Sequence, residues 1–296
     1  MGLGRRRDAV TRECRGLISA FRSDVASSNP LHSLHPFAAG ELRPQSRPSP
    51  LARPPSRMQR LATNLLLLPR WVPSAPEASK KLVFIRHAEG WHNKDYNDIP
   101  DYMARGLGET EAYWDARLTP LGEQQGRDLA TRLEPEVAPQ VRLVVVSPLS
   151  RAIQTAALAF PEASSRPPFL ATSLCRERVW THQCDRRRTR SELASDFPFV
   201  DFGQIADGSD EMWAHKEIDP SPMNSTAVSM RARSLLHWLW ARPEKEIAVV
   251  AHWVFLRHLF GLFPEDSELG ADFGNAEHRL ATLVEAPAAA ASKEEL

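Results

Sequence analysis

A chain of 296 residues with 42% hydrophobic content has the apolar material for one large α/β domain or two small ones, which excludes a minimal scaffold held together without a core. Its 37 Lys and Arg equal its 37 Asp and Glu, so the formal net charge is zero. The balance hides a split: residues 1–81 hold 12 Arg and 2 Lys against 5 acids, a net of +9, and the rest holds 23 bases against 32 acids, a net of −9.

Residues 1–78 are rich in Arg, Ser and Pro, contain no Lys before Lys80, and show no sustained apolar periodicity. Such a segment buries too little apolar surface to offset the entropy of ordering, so it is expected to be disordered. Arg-rich, Ser-containing and acid-poor composition is that of an organelle transit peptide; an unstructured tail is the competing reading, and Met58 offers a second start. No run of aromatic residues alternates with these arginines, so a nucleic-acid-binding arm is not expected. The apolar run in LATNLLLLPRWV is far short of the ~20 residues a spanning helix needs, so no membrane association is expected either. Three cysteines, Cys14, Cys175 and Cys184, form no close C-x-x-C pair. Their odd number argues against a disulfide framework and for a reducing, intracellular setting, the cytoplasm first, with a plastid or mitochondrion as the alternative.

The globular part is expected over residues 79–286, followed by an unstructured tail at 287–296. LVFI (82–85), RLVVV (142–146) and EIAVV (246–250) are short, unbroken and rich in β-branched residues, as strands buried on both faces are. Helix signals lie between them. LTPLGEQQGRDLATRLE offers Thr119 as N-cap and Pro120 at the first helical position, with Leu121, Leu129 and Leu133 as its apolar spacing. SPLSRAIQTAALAF repeats that signature with Ser147 and Pro148. STAVSMRARSLLHWLWARPEK sets Val228, Ala232, Leu235, Leu236 and Leu239 on one stripe and stops before Pro243. Alternating strands and helices imply crossover units, hence a largely parallel sheet with helices on both faces. The long polar stretches at 88–117 and 175–224 read as functional loops or lids.

The residues just past each buried strand carry the chemistry. LVFI runs into Arg86 and His87, LVVV into Ser147 with Arg151 soon after, and IAVV into Ala251 and His252. Ligands of open parallel sheets bind outside the carboxyl ends of the strands, so three strand ends bring two guanidiniums and two imidazoles to one crevice. Two arginines there call for an anion, and the planar guanidinium fork matches phosphate oxygens. A neutral imidazole beside them is a nucleophile for phosphorus. A zinc site from Cys175, His182 and Cys184 fits no common spacing.

At these residues the chain resembles the histidine phosphatase superfamily, specifically its phosphoglycerate mutase-like branch. The arginine-histidine motif stands as Arg86-His87-Ala88-Glu89-Gly90, with His92-Asn93 behind it. The second arginine motif matches SPLSRAIQTA (147–156), the acid motif CRERVWTHQCDRRR (175–188), and the distal histidine VVAH (249–252); FGNAEHR (273–279) is similar to the segment before the last strand. The resemblance spans roughly residues 79–286. It implies a three-layer αβα sandwich with a mostly parallel central sheet. It implies His87 as the nucleophile that becomes phosphohistidine, Glu177 as the proton donor, and His252 beside the phosphate. Arg86, Arg151 and Asn93 are the implied phosphate ligands.

The implied activity is that of a histidine acid phosphatase-type hydrolase acting on small phosphomonoesters, without metal or cofactor, because guanidiniums carry the charge. A mutase is the alternative, set lower because the lysine- and tyrosine-containing substrate motif of the cofactor-dependent mutases is not recognisable between residues 177 and 215. A phosphate-binding pseudoenzyme is the third reading, raised by one departure: Trp253 and Val254 stand where small residues usually follow the distal histidine, and their bulk threatens to narrow the pocket or displace His252. His92 and His182 carry no assigned role. Arg186, Arg187 and Arg188 either widen the anionic field towards a second negative group or form a solvated loop.

Overall fold

The computed structural model describes residues 21–22, 79–133, 136–215, 225–263 and 272–284. The expectations for the other residues of 1–78, including the apolar run before Trp71, and for the tail after 284 fall outside these residues.

The elements in chain order are β1 (Phe21–Arg22), β2 (Ser79–Arg86), α1 (Trp91–Asp98), α2 (Pro120–Leu133), β3 (Leu143–Val146), α3 (Ser150–Ala159) and β4 (Phe169–Ala171). They continue with α4 (Arg190–Asp196), β5 (Val200–Asp201), α5 (Glu211–Ala214), α6 (Thr226–Ala241), β6 (Glu246–Ala251), α7 (Trp253–Phe260) and β7 (His278–Val284). The strands form one sheet in the order β1-β7-β2-β6-β3-β4-β5. From β2 to β5 every pairing is parallel, and β7 closes the other side antiparallel to β2 and to β1.

Each central strand is apolar on both faces because each face is covered. Val83, Ile85, Val144, Val146, Ala248 and Val250 turn to one side and pack with Leu129 and Leu133 of α2, Ile153 and Ala156 of α3, and Leu193 of α4. Their sequence neighbours Leu82, Phe84, Leu143, Val145, Ile247 and Val249 turn to the other side, against Val228, Leu235 and Leu239 of α6 and Phe255 and Leu259 of α7. Side chains alternate along a strand, so an unbroken apolar run fills two cores at once and produces three layers. The expected α/β architecture and the α6 stripe are as the sequence suggests.

Two helix expectations need correction. α2 begins at Pro120 with Thr119 Oγ1 accepting from Gly122 N at 2.9 Å, as expected, but Leu121 is 56% exposed and belongs to the solvent side. The buried face runs through Gly122, Gly126, Leu129 and Leu133. Gly122 is dictated by a close approach: a Cβ there would lie 2.0 Å from the carbonyl oxygen of Glu89. The second correction concerns α3, which starts at Ser150 and not at Pro148. Its first amide is met from outside, because Asp115 Oδ1 accepts from Ser150 N at 2.8 Å, and Asp115 Oδ2 also accepts from the Ser150 hydroxyl at 2.5 Å. Ser147 is thereby released from capping.

The two long connections carry structure of their own. Residues 88–117 contain α1 and two short 3₁₀ turns, and residues 175–215 contain one 3₁₀ turn, α4, β5 and α5. Arg176 ties the second stretch together with both Nη atoms on Asp210, at 2.6 and 2.7 Å, and with Asp185 O at 2.6 Å.

Candidate active site

Register places the candidate residues together. Arg86, at the carboxyl end of β2, pairs with Ala251 of β6, and Val146 of β3 pairs with Val250. The next residues along, His87, Ser147 and His252, therefore leave the sheet side by side. The His87 and His252 rings lie 5.0 Å apart, centroid to centroid.

His87 is buried and its orientation is fixed from several directions. Its carbonyl accepts from Asn275 Nδ2 at 3.2 Å and Ala276 N at 3.3 Å, which is what the 273–279 segment contributes. The next residue is held by α3, where Thr155 Oγ1 accepts from Ala88 N at 2.9 Å. The ring's Nδ1 is 2.7 Å from the carbonyl oxygen of Ala88, an acceptor, so Nδ1 carries the proton. Nε2 is then the basic nitrogen, and Arg151 Nε donates to it at 3.2 Å. Burial, with Arg151 and Arg86 close by, holds the imidazole well below its ordinary pKa. It is neutral, which a nucleophile for phosphorus requires.

Arg151, 1% exposed, reaches the site from the first turn of α3. Its Nη2 donates to Asp185 Oδ1 at 2.8 Å and its Nη1 to the carbonyl oxygen of Cys184. Burial opposes its charge, and Asp185, Cys184 and Glu177 together outweigh it, so the guanidinium stays ionised. Arg86 Nη1 donates to Phe273 O at 2.6 Å, while its Nε is buried without a partner. His252 is fully buried with Nε2 2.7 Å from Ser147 Oγ, the hydroxyl that α3 leaves free; its Nδ1 is buried without a partner. Burial and Arg151 hold His252 neutral as well.

Trp253 and Val254 open α7 and leave His252 in place against His87. The amides behind them have an occupant in this structure. Glu177 Oε2 accepts from Val254 N at 3.1 Å, and Oε1 accepts from Phe255 N at 3.0 Å and Arg178 N at 2.8 Å. A carboxylate at the start of a helix meets unpaired N–H groups and the positive end of the dipole. Burial, with Asp185 adding to it, still raises the Glu177 carboxyl above its ordinary pKa, against the pull of those amides. The Glu177 backbone is anchored from α6, where Arg231 donates to the carbonyl oxygens of Arg176 and Glu177.

Asn93 is placed in the first turn of α1 with its Oδ1 accepting from Gly90 N at 3.1 Å, a capping contact. Sequence reasoning leaves its neighbour His92 as structural or substrate-adjacent. The His92 ring lies 5.8 Å from that of His87, its Nδ1 is buried without a partner, and burial, Arg151 and Arg86 hold it well below its ordinary pKa. Glu89 turns out to be structural, accepting from Thr119 Oγ1 at 2.7 Å.

The arginine run at 186–188 does not face the pocket as free charge. Arg187 donates to four carbonyl oxygens, of Arg188, Gly208, Ala206 and Ser209, at 2.8–3.3 Å. Arg188 bonds Asp115 and Ser150 at 2.9 Å and Asp196 at 2.8 Å. Arg186 pairs with Glu111 at 3.2 Å and lies over the ring of Trp114.

The sequence model described as histidine phosphatase superfamily (branch 1) matches residues 82–283. A phosphoglycerate mutase-like protein of Arabidopsis thaliana is 36% identical over 240 residues, covering 70% of this chain and 85% of its own length. Phosphoglycerate mutase-like protein 1 of the same plant is 31% identical over 242 residues, covering 70% and 82%. Among solved structures, the phosphoserine phosphatase of Entamoeba histolytica in complex with 3-phosphoglyceric acid is similar over 70% of this chain and 95% of that one, at 19% identity and a TM-score of 0.42.

Proposed function

The chain belongs to the histidine phosphatase superfamily (branch 1), and from that premise and the pocket around His87 we propose that it is a phosphatase for small phosphomonoesters, working through phosphohistidine on His87 without a metal or cofactor. One observation carries the reading. Around His87 stand residues whose buried polar atoms have no partner among the described residues: Arg86 Nε, His92 Nδ1 and His252 Nδ1. Buried polar groups are normally paired, so a ring of unpaired ones about a neutral nucleophile is a site shaped for a polar ligand.

His87 Nε2 attacks phosphorus, and the bond to the ester oxygen breaks. The N–H of Arg151 that meets Nε2 in this structure turns to a phosphoryl oxygen once phosphorus is there. Arg86 and Arg151 neutralise the charge on the equatorial oxygens, with His252 Nδ1 and the Asn93 carboxamide nitrogen as further contacts. Glu177, protonated in the substrate complex, gives its proton to the leaving alkoxide; as carboxylate it then takes a proton from the water that cleaves the phosphorus–nitrogen bond. Inorganic phosphate leaves and His87 is regenerated.

The test compares the full chain with its His87→Ala variant on an aryl phosphate in the presence of a chelator, with parallel quenching to trap an acid-labile phosphoenzyme. Turnover and label should both vanish in the variant. Full hydrolysis by the variant overturns the reading. The relatives named phosphoglycerate mutase-like motivate a second arm: conversion of 3-phosphoglycerate without release of inorganic phosphate identifies a mutase instead.

A further inference from the structure

One turn beside the pocket gathers three different metal-binding groups. His182, Cys184 and Asp185 each offer one ligand atom, and these atoms lie within 4.8 Å of one another. Cys184 Sγ is 3.7 Å from Asp185 Oδ1. Around a tetrahedral zinc, bonds of ~2.3 Å to sulfur and ~2.0 Å to oxygen separate those two atoms by about 3.5 Å. Cys184 and Asp185 are buried and His182 is partly exposed, so the cluster is open to solvent from its imidazole side. Gln183 Oε1, a further electron-pair donor in the same turn, is buried without a partner. The Cys175, His182 and Cys184 set fits no common zinc spacing in the sequence; in the fold it is Asp185, not Cys175, that stands with His182 and Cys184.

We propose that His182, Cys184 and Asp185 form a regulatory site for Zn²⁺, or an ion of like preference, whose occupation switches the enzyme off. Imidazole, thiolate and carboxylate together suit Zn²⁺ or Cd²⁺ and not Mg²⁺ or Ca²⁺, which take all-oxygen sets. On binding, the Cys184 S–H bond gives way to a metal–sulfur bond, its proton passes to solvent, and water fills the remaining position. The metal draws on Asp185 Oδ1, the oxygen that accepts from Arg151 Nη2. It also reshapes the turn whose Cys184 carbonyl accepts from Arg151 Nη1. Arg151 loses its anchorage on that side, and with it the contact to His87 Nε2. An added cation nearby further repels the guanidinium. Metal binding itself stands apart from the phosphatase reading; the inhibitory consequence rests on it.

The experiment follows Zn²⁺ and Cd²⁺ titrations of the full chain by aryl phosphate turnover, and follows Cd²⁺ binding separately by the ultraviolet thiolate-to-cadmium charge-transfer band. The wild type should lose about tenfold to a hundredfold in turnover, as displacement of a positioned group by an ångström does. Chelator should restore activity, and Mg²⁺ should do nothing. His182→Asn should keep basal turnover and its thermal midpoint while losing most of the sensitivity, and Cys184→Ser should lose the band. Inhibition that survives both substitutions places the metal elsewhere and overturns the proposal, as does the absence of a band. A band with the expected variant pattern in a protein that hydrolyses nothing keeps the metal site and rejects the phosphatase reading instead.

Discussion

The proposed attack by His87 on phosphorus needs a neutral imidazole, and burial and two guanidiniums hold its pKa well below the ordinary value. In that reading the cations proposed to orient the phosphate also hold back the proton that would disable the nucleophile. Glu177 is tuned in the opposite direction, raised by burial while three amides favour its anion. Glu177→Gln should lower hydrolysis of alkyl phosphates about 10²- to 10⁴-fold, the usual worth of a positioned acid, and cost far less with an aryl phosphate whose phenolate leaves unaided. Because the new amide group also sets an NH₂ against a helix amide, retained aryl turnover is the measurement that separates a lost acid from a damaged fold. Equal losses on both substrates would remove Glu177 from the acid role. Arg86, His87, Arg151 and His252 were legible in the sequence because strand ends deliver them. Asp185 and Asn275, which hold Arg151 and His87, were not, since a partner from a distant loop leaves no local pattern.

Among the helices, α2 shows how tightly an element is fitted to the loop that carries the nucleophile. Gly122 lies against the Glu89 backbone, two residues past His87, with no room for a methyl group. Gly122→Ala should destabilise the protein by about 2–3 kcal/mol, the cost of overpacking against backbone that has to move. Urea midpoints check this, and activity at low urea should fall with them because the same loop bears His87. Gly126→Ala meets only the Leu158 side chain and should cost less. α2, α3 and the α6 face were readable from caps and apolar spacing, whereas α1, α4 and α5 lie inside stretches that read as loops. The start of α3 was not legible: a Ser-Pro pair is a strong local signal, but Asp115, from the far end of a long connection, caps the helix and frees Ser147 for His252.

Across the whole molecule, the pocket links stability to pH. His87, His92 and His252 all have folded-state pKa values below the ordinary 6.5, each chiefly through burial. At these three sites the unfolded chain therefore binds more protons than the native protein as pH drops below about 6.5, each costing about 1.4 kcal/mol of stability per pH unit, while the raised carboxyls of Glu177 and Asp115 offset part of this. The stabilisation is complete above the unfolded value and is lost on the way down to the folded ones. Thermal midpoints of the ligand-free protein should fall between about pH 7 and 5, and saturating vanadate should recover part of the loss by favouring the imidazolium forms. A flat profile would contradict the buried, neutral trio.

The Arg187 cage has a consequence for how such a protein changes over time. Its four acceptors are main-chain carbonyls, which every amino acid possesses, so substitution at 206 or 209 leaves the acceptors in being. Gly208, at φ +81°, and Arg188, whose side chain bonds Asp115, Ser150 and Asp196, are held to their identities by other means. A lysine at 187, with its donors gathered on one atom, could not span the cage. The fastening is thus indifferent to side chains at two of its four corners.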